Sequence, residues 1–549
     1  MLFFILSFFN LSPCSVPNDT LLNLSNQYYD SIEINNIGDP VLHLIPKNYK
    51  KNIVINHISR EVRKVDYDSK LNISVRDSIY SFIKYQNCYN TGGRLKTFLS
   101  RPISEKIYIQ FLYDNLSSEG FYPHQHNKYN NLNVSFDYSN NNKYQSSLSF
   151  SSLNTHYENN GGIISHNLSG LDLSTTFLNT AETSIKKRII NFSQKYLFQS
   201  GLKLTHHSIF SMFKRDYNDM NPMSYYYSMT PLDYLILDYN LHTFFQTFSN
   251  NFTLTRNNSH LSIIYNYFNT NDLNPNRIQG DVIISFDQKY LFKNHQNVDF
   301  KFQFSPLGYN KNSYLINMIF SKKSNNFHHV LSFNQTNQKP DFFRKHYDNF
   351  SSWDWFSFSS FRMLNFRLKS FVIKRALQAS ISLNRTVNYF YFNEFVSPTQ
   401  LETPLIYLNF QINKIWQLYP FIFNSSFTFQ HSNNQVLSVP FFVYQQKIKY
   451  SVNLFTDSKL TASISTYLFS SYYPNYFFPL TDVFYQQLNE KTKFQPFFSV
   501  DAHISKKTIS FGLIVDNLQN LLFEDSYFLP TYYLPKPTLR FSISWIFID

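Results

Sequence analysis

From Ile107 onward, short runs alternate apolar or aromatic residues with polar ones, separated by turns rich in Asn, Ser and Lys. The cleanest is Leu132-Asn133-Val134-Ser135-Phe136-Asp137-Tyr138. Val298, Phe300, Phe302 and Phe304 alternate with Asp299, Lys301 and Gln303. The same holds for Ile406, Leu408, Phe410 and Ile412, and for Ile448, Tyr450, Val452 and Leu454. Phe498, Val500, Ala502 and Ile504 complete the set. Successive side chains on a strand point to opposite faces, so each run predicts a strand with one apolar and one hydrophilic face. Soluble antiparallel sheets share this period.

Three features favour a membrane barrel over a soluble sheet. The hydrophilic face is rich in Ser, Asn, Gln and scattered charge, as a wet lumen requires. Aromatic residues crowd strand ends, as in Tyr225-Tyr226-Tyr227, Tyr389-Phe390-Tyr391 and Tyr472-Tyr473, where interfacial girdles belong. The last run, Leu539 to Asp549, places Phe541, Ile543, Trp545 and Phe547 on one face with Ser542 and Ser544 opposite. These four are the expected barrel-closing residues of a C-terminal strand. No stretch reaches the roughly 20 apolar residues that a spanning helix needs, so any crossing is by strands. The expectation is an all-β, transmembrane antiparallel β-barrel of about 16 strands, within a range of 14 to 18.

Composition sharpens this picture. Aromatics make up 19% of the 549 residues and charged residues only 15%, below the roughly 25% of soluble domains. Mean hydropathy is nonetheless −0.32, so the apolar side chains are not gathered in long greasy segments. The net charge of +13 is scattered, with Lys186-Lys187-Arg188 the longest cluster, which argues against a nucleic-acid stripe. Two cysteines, Cys14 and Cys88, exclude a disulfide framework and a Cys-rich zinc site. With 11 glycines, the turns fall to Asn, which tolerates left-handed backbone geometry. Residues 1–16 resemble a signal peptide, with the apolar run Leu2 to Phe9 but no basic start. Residues 17–100 show few clean alternations and read as a periplasmic segment leading into the barrel, with 101–549 as the barrel itself.

Catalytic and metal motifs are missing. Gly92-Gly93 and Gly161-Gly162 lack the Lys-Ser/Thr of a phosphate loop, and there is no Gly-x-Ser-x-Gly elbow. His206-His207 and His328-His329 are adjacent pairs whose members face opposite ways on a strand, a poor chelate. His124-Gln125-His126 lies in a loop without nearby carboxylates in sequence. Neither an enzyme nor a cofactor or metal site is expected. What remains is the lumen face, where Asp299, Lys301, Arg367, Lys369, Lys447, Lys449, Asp501 and His503 are the candidate pore-lining charges that would sort solutes.

Several stretches resemble the putative porin family of Gram-negative outer-membrane β-barrels. They are Asn35-Asn36-Ile37-Gly38-Asp39-Pro40, Glu158-Asn159-Asn160-Gly161-Gly162-Ile163 and Gln194-Lys195-Tyr196, followed by Asn388-Tyr389-Phe390-Tyr391 with Pro398 and Gln400. Tyr472 to Pro474, Asp516-Asn517-Leu518 and Phe541 to Asp549 continue the series in order. The low glycine content and the weak signal peptide depart from the family pattern. The resemblance implies a bacterial outer-membrane location and a porin passing small hydrophilic solutes by passive diffusion, with mild anion preference from the net basicity. Outer-membrane lipid and the barrel-assembly machinery are the expected partners, and nucleic acid is not; the oligomeric state is left open. Two other readings stand beside it. One is a surface-binding or adhesive barrel working through long loops such as Lys214 to Pro231. The other is a TonB-dependent transporter, for which the segment before the barrel reads as too short and irregular to be the plug.

Overall fold

Lipid offers no hydrogen-bond partners, so a sheet that crosses it must pair every backbone N–H and C=O internally. The chain meets this by closing its sheet on itself. In the computed structural model, 22 strands form one antiparallel sheet, each paired with its neighbours in sequence. The first strand, Tyr80–Asn87, pairs with Gly92–Ser104 on one side and with the last strand, Thr538–Ile548, on the other. Tyr80 stands opposite Ile548 and Gln86 opposite Ser542, so the ring has no free edge. The structure describes residues 80–548 apart from 89–90, 141–142, 166–174, 223–225, 227–238, 271–276, 293–294, 341–357, 495 and 524–525. The signal-like start 1–16, the segment 17–79 and the Asn35–Pro40 stretch lie outside these residues.

The count of 22 corrects the expected 14 to 18. Strand Tyr80–Asn87 and most of Gly92–Ser104 lie ahead of residue 101, where inward Phe82 and Phe98 and outward Ser81 and Thr97 interrupt the polar-apolar rhythm. Elsewhere inward apolar residues blur the alternation. Ile185, Phe213, Phe245 and Phe268 are all buried on the inner side of consecutive strands.

The barrel is inside-out relative to a soluble protein. In the strand Leu405–Leu418, Ile406, Leu408 and Phe410 are exposed, while Tyr407, Asn409 and Gln411 between them are buried. Apolar side chains turned outward meet lipid tails at no cost in hydration, and the polar row meets the lumen. No helix among the described residues is long and apolar enough to cross a membrane.

The two ends differ. At one end strands join through tight turns such as Asn257-Asn258, Thr456-Asp457 and Lys507-Thr508. Asn257, Asp457 and Lys507 there take positive φ of 52°, 66° and 50°. With few glycines available, Asn and Asp carry two of these three left-handed positions, as their short polar side chains allow, and Lys507 the third. At the other end the connections are long and carry small hairpins of their own, Phe390–Phe392 with Pro398–Gln400 and Tyr476–Phe478 with Val483–Tyr485. Short turns belong to the periplasmic side of such barrels and long loops to the outside.

Candidate functional site

The long-loop end is crossed by its own connections. Strand Lys203–Asp219 is the seventh around the ring and Ser458–Phe469 the nineteenth of 22, so they face each other across the barrel. The connection after Ser458–Phe469, residues 470–495, reaches that far wall. Its Phe478, Leu480 and Tyr485 join Tyr217, Tyr239 and Leu241 of the wall in one apolar cluster, which Phe392 and Val396 complete from a third direction. Burying such side chains removes about 1.5–3 kcal/mol worth of apolar surface each from water, a strong reason for the loops to fold inward.

Arg215 fixes the contact. Its side chain lies on the inner face between Phe213 and Tyr217 and is 1% exposed. Nη1 donates to the Leu480 carbonyl at 2.9 Å and Nη2 to the Pro479 carbonyl at 2.6 Å. The guanidinium also lies 5.7 Å from the Tyr217 ring. Beside it, Tyr226 stacks on Phe478 with centroids 6.2 Å apart, and its hydroxyl reaches the Phe477 carbonyl at 3.5 Å.

The crossing loop is internally braced. Gln487 Nε2 donates to the carbonyls of Pro474 and Glu490, while its Oε1 accepts from the N–H groups of Asn489 and Glu490. The Tyr476 hydroxyl donates to Glu490 at 2.7 Å. Burial, with Glu490 beside them, holds the phenols of Tyr476 and Tyr485 well above the usual tyrosine range and pushes Tyr527 up to about 12. These groups therefore stay neutral donors around a carboxylate. A second closure joins two further loops. Ile163 N–H donates to the Thr531 carbonyl at 2.9 Å. Gly162, at φ +94°, packs so closely that a Cβ would stand 2.0 Å from Thr531 Oγ1.

The eight candidate charges lie on strands of the ring. Alternation places all eight on the lumen side, opposite in sense to exposed Phe302, Phe366 and Ile504. The structure brings them together only in parts. Asp299 and Lys301 form a checkerboard with Lys289 and Asp287 of the adjoining strand, at 4.0 and 3.9 Å. Lys447 and His503 both approach Asp501, at 4.0 and 3.5 Å, and Ser463 donates to the same carboxylate at 2.5 Å. Lys449 follows Lys447 on that face, opposite Ser463. Arg367 and Lys369 lie half-buried on a separate strand. Phe541, Ile543, Trp545 and Phe547 lie on the outward row of the strand that pairs with Tyr80–Asn87.

Sequence reading missed a denser group at the seam of the ring. Arg94 binds Asp114 through two bonds of 2.8 and 2.7 Å, and Arg540 binds Asp516. Lys84 stands directly opposite Lys96 on the same inner face. With Lys447 and Lys449 a few strands away, cations outnumber carboxylates along this part of the lumen. Arg215 was missed as well. Its spacing from Phe213 and Tyr217 puts a cation on a face of large apolar residues, a signal available in the sequence.

Several family-like stretches fall at the mouth. Gln400 Nε2 donates to the carbonyls of Ser359 and Asn388, and Asn388 has φ 56°. Asn160 Oδ1 accepts from Gly162 N–H at 3.0 Å. These residues shape loops and touch no site of their own. The histidine pairs face apart: His206 stacks on outward Phe252 at 4.4 Å, and His328 stacks on inward, buried Phe371 at 5.5 Å.

Comparison with solved structures places this architecture. The siderophore receptor PiuA from Acinetobacter baumannii matches with a TM-score of 0.63 at 10% identity, over 86% of this chain and 81% of its own. The copper transporter OprC matches at 0.64 and 9%, over 86% and 80%. The FrpB iron transporter from Neisseria meningitidis matches at 0.62 and 9%, over 86% and 81%. At these identities the likeness is one of fold, and it is to receptors and transporters. It overturns the expectation of a passive diffusion pore, which rested on the family resemblance: barrels of 16–18 strands leave an aqueous channel, whereas 22-stranded outer-membrane transporters hold a plugged lumen. No curated protein matches the sequence. Residues 21–549 match the family described as "Putative porin", and this outer-membrane chain belongs to that family.

Proposed function

We propose that this protein is a gated outer-membrane transporter of the TonB-dependent type, which captures an anionic ligand outside and admits it when energised from within. The observation that carries the reading is the mouth: loop 470–495 crosses a 22-stranded ring and is pinned to the opposite wall by Arg215. A ring of this size has no need of a closed mouth if it serves diffusion. A closed mouth over a charged lumen suits ligand capture followed by regulated release. The cationic seam of Lys84, Arg94, Lys96 and Arg540, with Lys447 and Lys449 near it, favours a negatively charged cargo. The solved relatives of the fold are named for siderophores, copper and iron. An anionic metal chelate is the cargo class that joins these two lines.

Uptake of radiolabelled ferric citrate by cells producing the full chain tests this. Uptake above that of cells lacking the chain, abolished by a protonophore, is the expected result. Liposomes holding the purified chain should not swell in sugar solutions. Uptake indifferent to the protonophore, or swelling with sugars of graded size, overturns the proposal.

A further inference from the structure

The outer side of the wall carries a concentrated charge where the apolar belt ends. Across strands Asn127–Asn140, Tyr144–Glu158, Ala181–Leu197 and Lys203–Asp219, outward residues alternate with buried inward ones such as Ile185 and Phe213. Outward Ile190, with Phe150 and Phe210 directly opposite it on either side, belongs to the belt. Ile190 is 44% exposed, as a lipid-facing residue is once lipid is left out. Moving from that row toward the long-loop end, the next outward positions on the same strand are Arg188 and then Lys186. Lys186 stands directly opposite Lys214, and Lys128 lies two strands away on the same face, opposite His156.

Two lysines directly opposite on one face repel each other and destabilise the pairing unless an anion lies between them. The nearby carboxylates do not supply it. Asp216 holds Lys214 at 3.0 Å but is shared with His242 at 2.6 Å, and Glu182 faces His156 at 3.6 Å. Lys186 and Lys128 make no ion pair or side-chain hydrogen bond among the described residues. Arg188 is held in place from beneath: it donates to the carbonyls of Leu153 and Lys187 and to Asn154 Oδ1, at 3.0, 3.0 and 2.9 Å.

We propose that this outer face binds the phosphate groups of a phosphorylated lipid headgroup in the outer leaflet. Lys186 and Lys214 would grip one phosphate between them, with Arg188 below and Lys128 to the side. The acyl chains would lie over Phe150, Ile190 and Phe210. Two observations point to a lipid and not to a soluble anion: the cations face the membrane side of the wall, and they border directly on the apolar belt. Cations placed so draw anionic headgroups, and the attraction weakens with salt. The proposal concerns the outer wall and does not depend on what the lumen carries.

The purified full chain in nanodiscs, titrated with bisphosphorylated lipid A and read by native mass spectrometry, tests it. The double variant K186Q/K214Q should lose binding by about tenfold or more, while K186R/K214R keeps it. Dephosphorylated lipid A should bind wild type and K186Q/K214Q equally weakly. Folding is checked by the shift in gel mobility on heating; should K186Q/K214Q not fold, K128Q gives a second reading, with a partial loss expected. Unchanged binding by a folded K186Q/K214Q, or equal binding of the dephosphorylated lipid to the wild type, overturns the proposal. Displacement of the lipid by inorganic phosphate at equal concentration also overturns it, because a free anion would then be the ligand.

Discussion

At the short-turn end the strands are linked by two to five residues whose backbone geometry is set locally. Asn257 and Asp457 sit at positive φ, and nothing from a distant part of the chain is needed to hold them. At the long-loop end, residues 470–495 keep their course only because the far wall receives them. Phe478 and Leu480 find their cover on strands twelve places round the ring, and Arg215 satisfies carbonyls more than 260 positions away in sequence. The turn end is therefore tied to the barrel as a whole, whereas the mouth is held by contacts of its own. The proposed gate would open here, since elements that move are drawn from the less stable parts of a structure.

Substitutions at four positions would break or sharpen that contrast. Arg215→Ala removes two charged hydrogen bonds and leaves two buried carbonyls unsatisfied, a loss of about 3 kcal/mol or more. Protease cleavage within 470–495 should rise on the order of a hundredfold, with the denaturation midpoint of the barrel little changed. Equal loss at both would mean that mouth and barrel unfold together. Gly162→Ala forces a Cβ into Thr531 at a left-handed φ and should cost about 1–3 kcal/mol, read as faster cleavage in the loops at 159–180 and 517–537. Asn257→Ala should cost the barrel about 1 kcal/mol while leaving cleavage at the mouth alone, and Asn257→Gly should be nearly neutral. A rise in mouth cleavage with Asn257→Ala would erase the distinction between the ends. Tyr226→Phe keeps the stack on Phe478 and removes the hydroxyl with its 3.5 Å hydrogen bond to the Phe477 carbonyl, for an effect of about 0.5 kcal/mol. A response as large as that of Arg215→Ala would shift the latch from the guanidinium to the phenol.

Much of the wall was readable residue by residue. Lys447, Lys449, Asp501 and His503 come out on one face because strand periodicity is local, and the same rule orients Ile406, Leu408 and Phe410 outward. What it does not reveal is which inner charges meet. That Lys447 approaches Asp501 follows from two successive strand pairings, each with its own register. The seam group of Lys84, Arg94, Lys96 and Arg540 was hidden for a related reason: its members come from opposite ends of the chain, and the first strands lack clean alternation. The number of strands also escaped, because inward Ile185, Phe213 and Phe245 look like a break in rhythm when they are the floor of the mouth.

The sequence by itself determined that the chain crosses the outer membrane as strands, with its apolar faces turned outward and its last strand rich in aromatics. Periodicity, turn chemistry and the lack of a spanning helix are properties of a few residues at a time. Tertiary structure alone decided the 22-fold ring, the pairing of Tyr80–Asn87 with Thr538–Ile548 and the loop pinned across the mouth. Each depends on contacts between segments tens to hundreds of residues apart, whose registers no local pattern encodes. That difference turned an expected ring of about 16 strands into one of 22 with a loop pinned across its mouth.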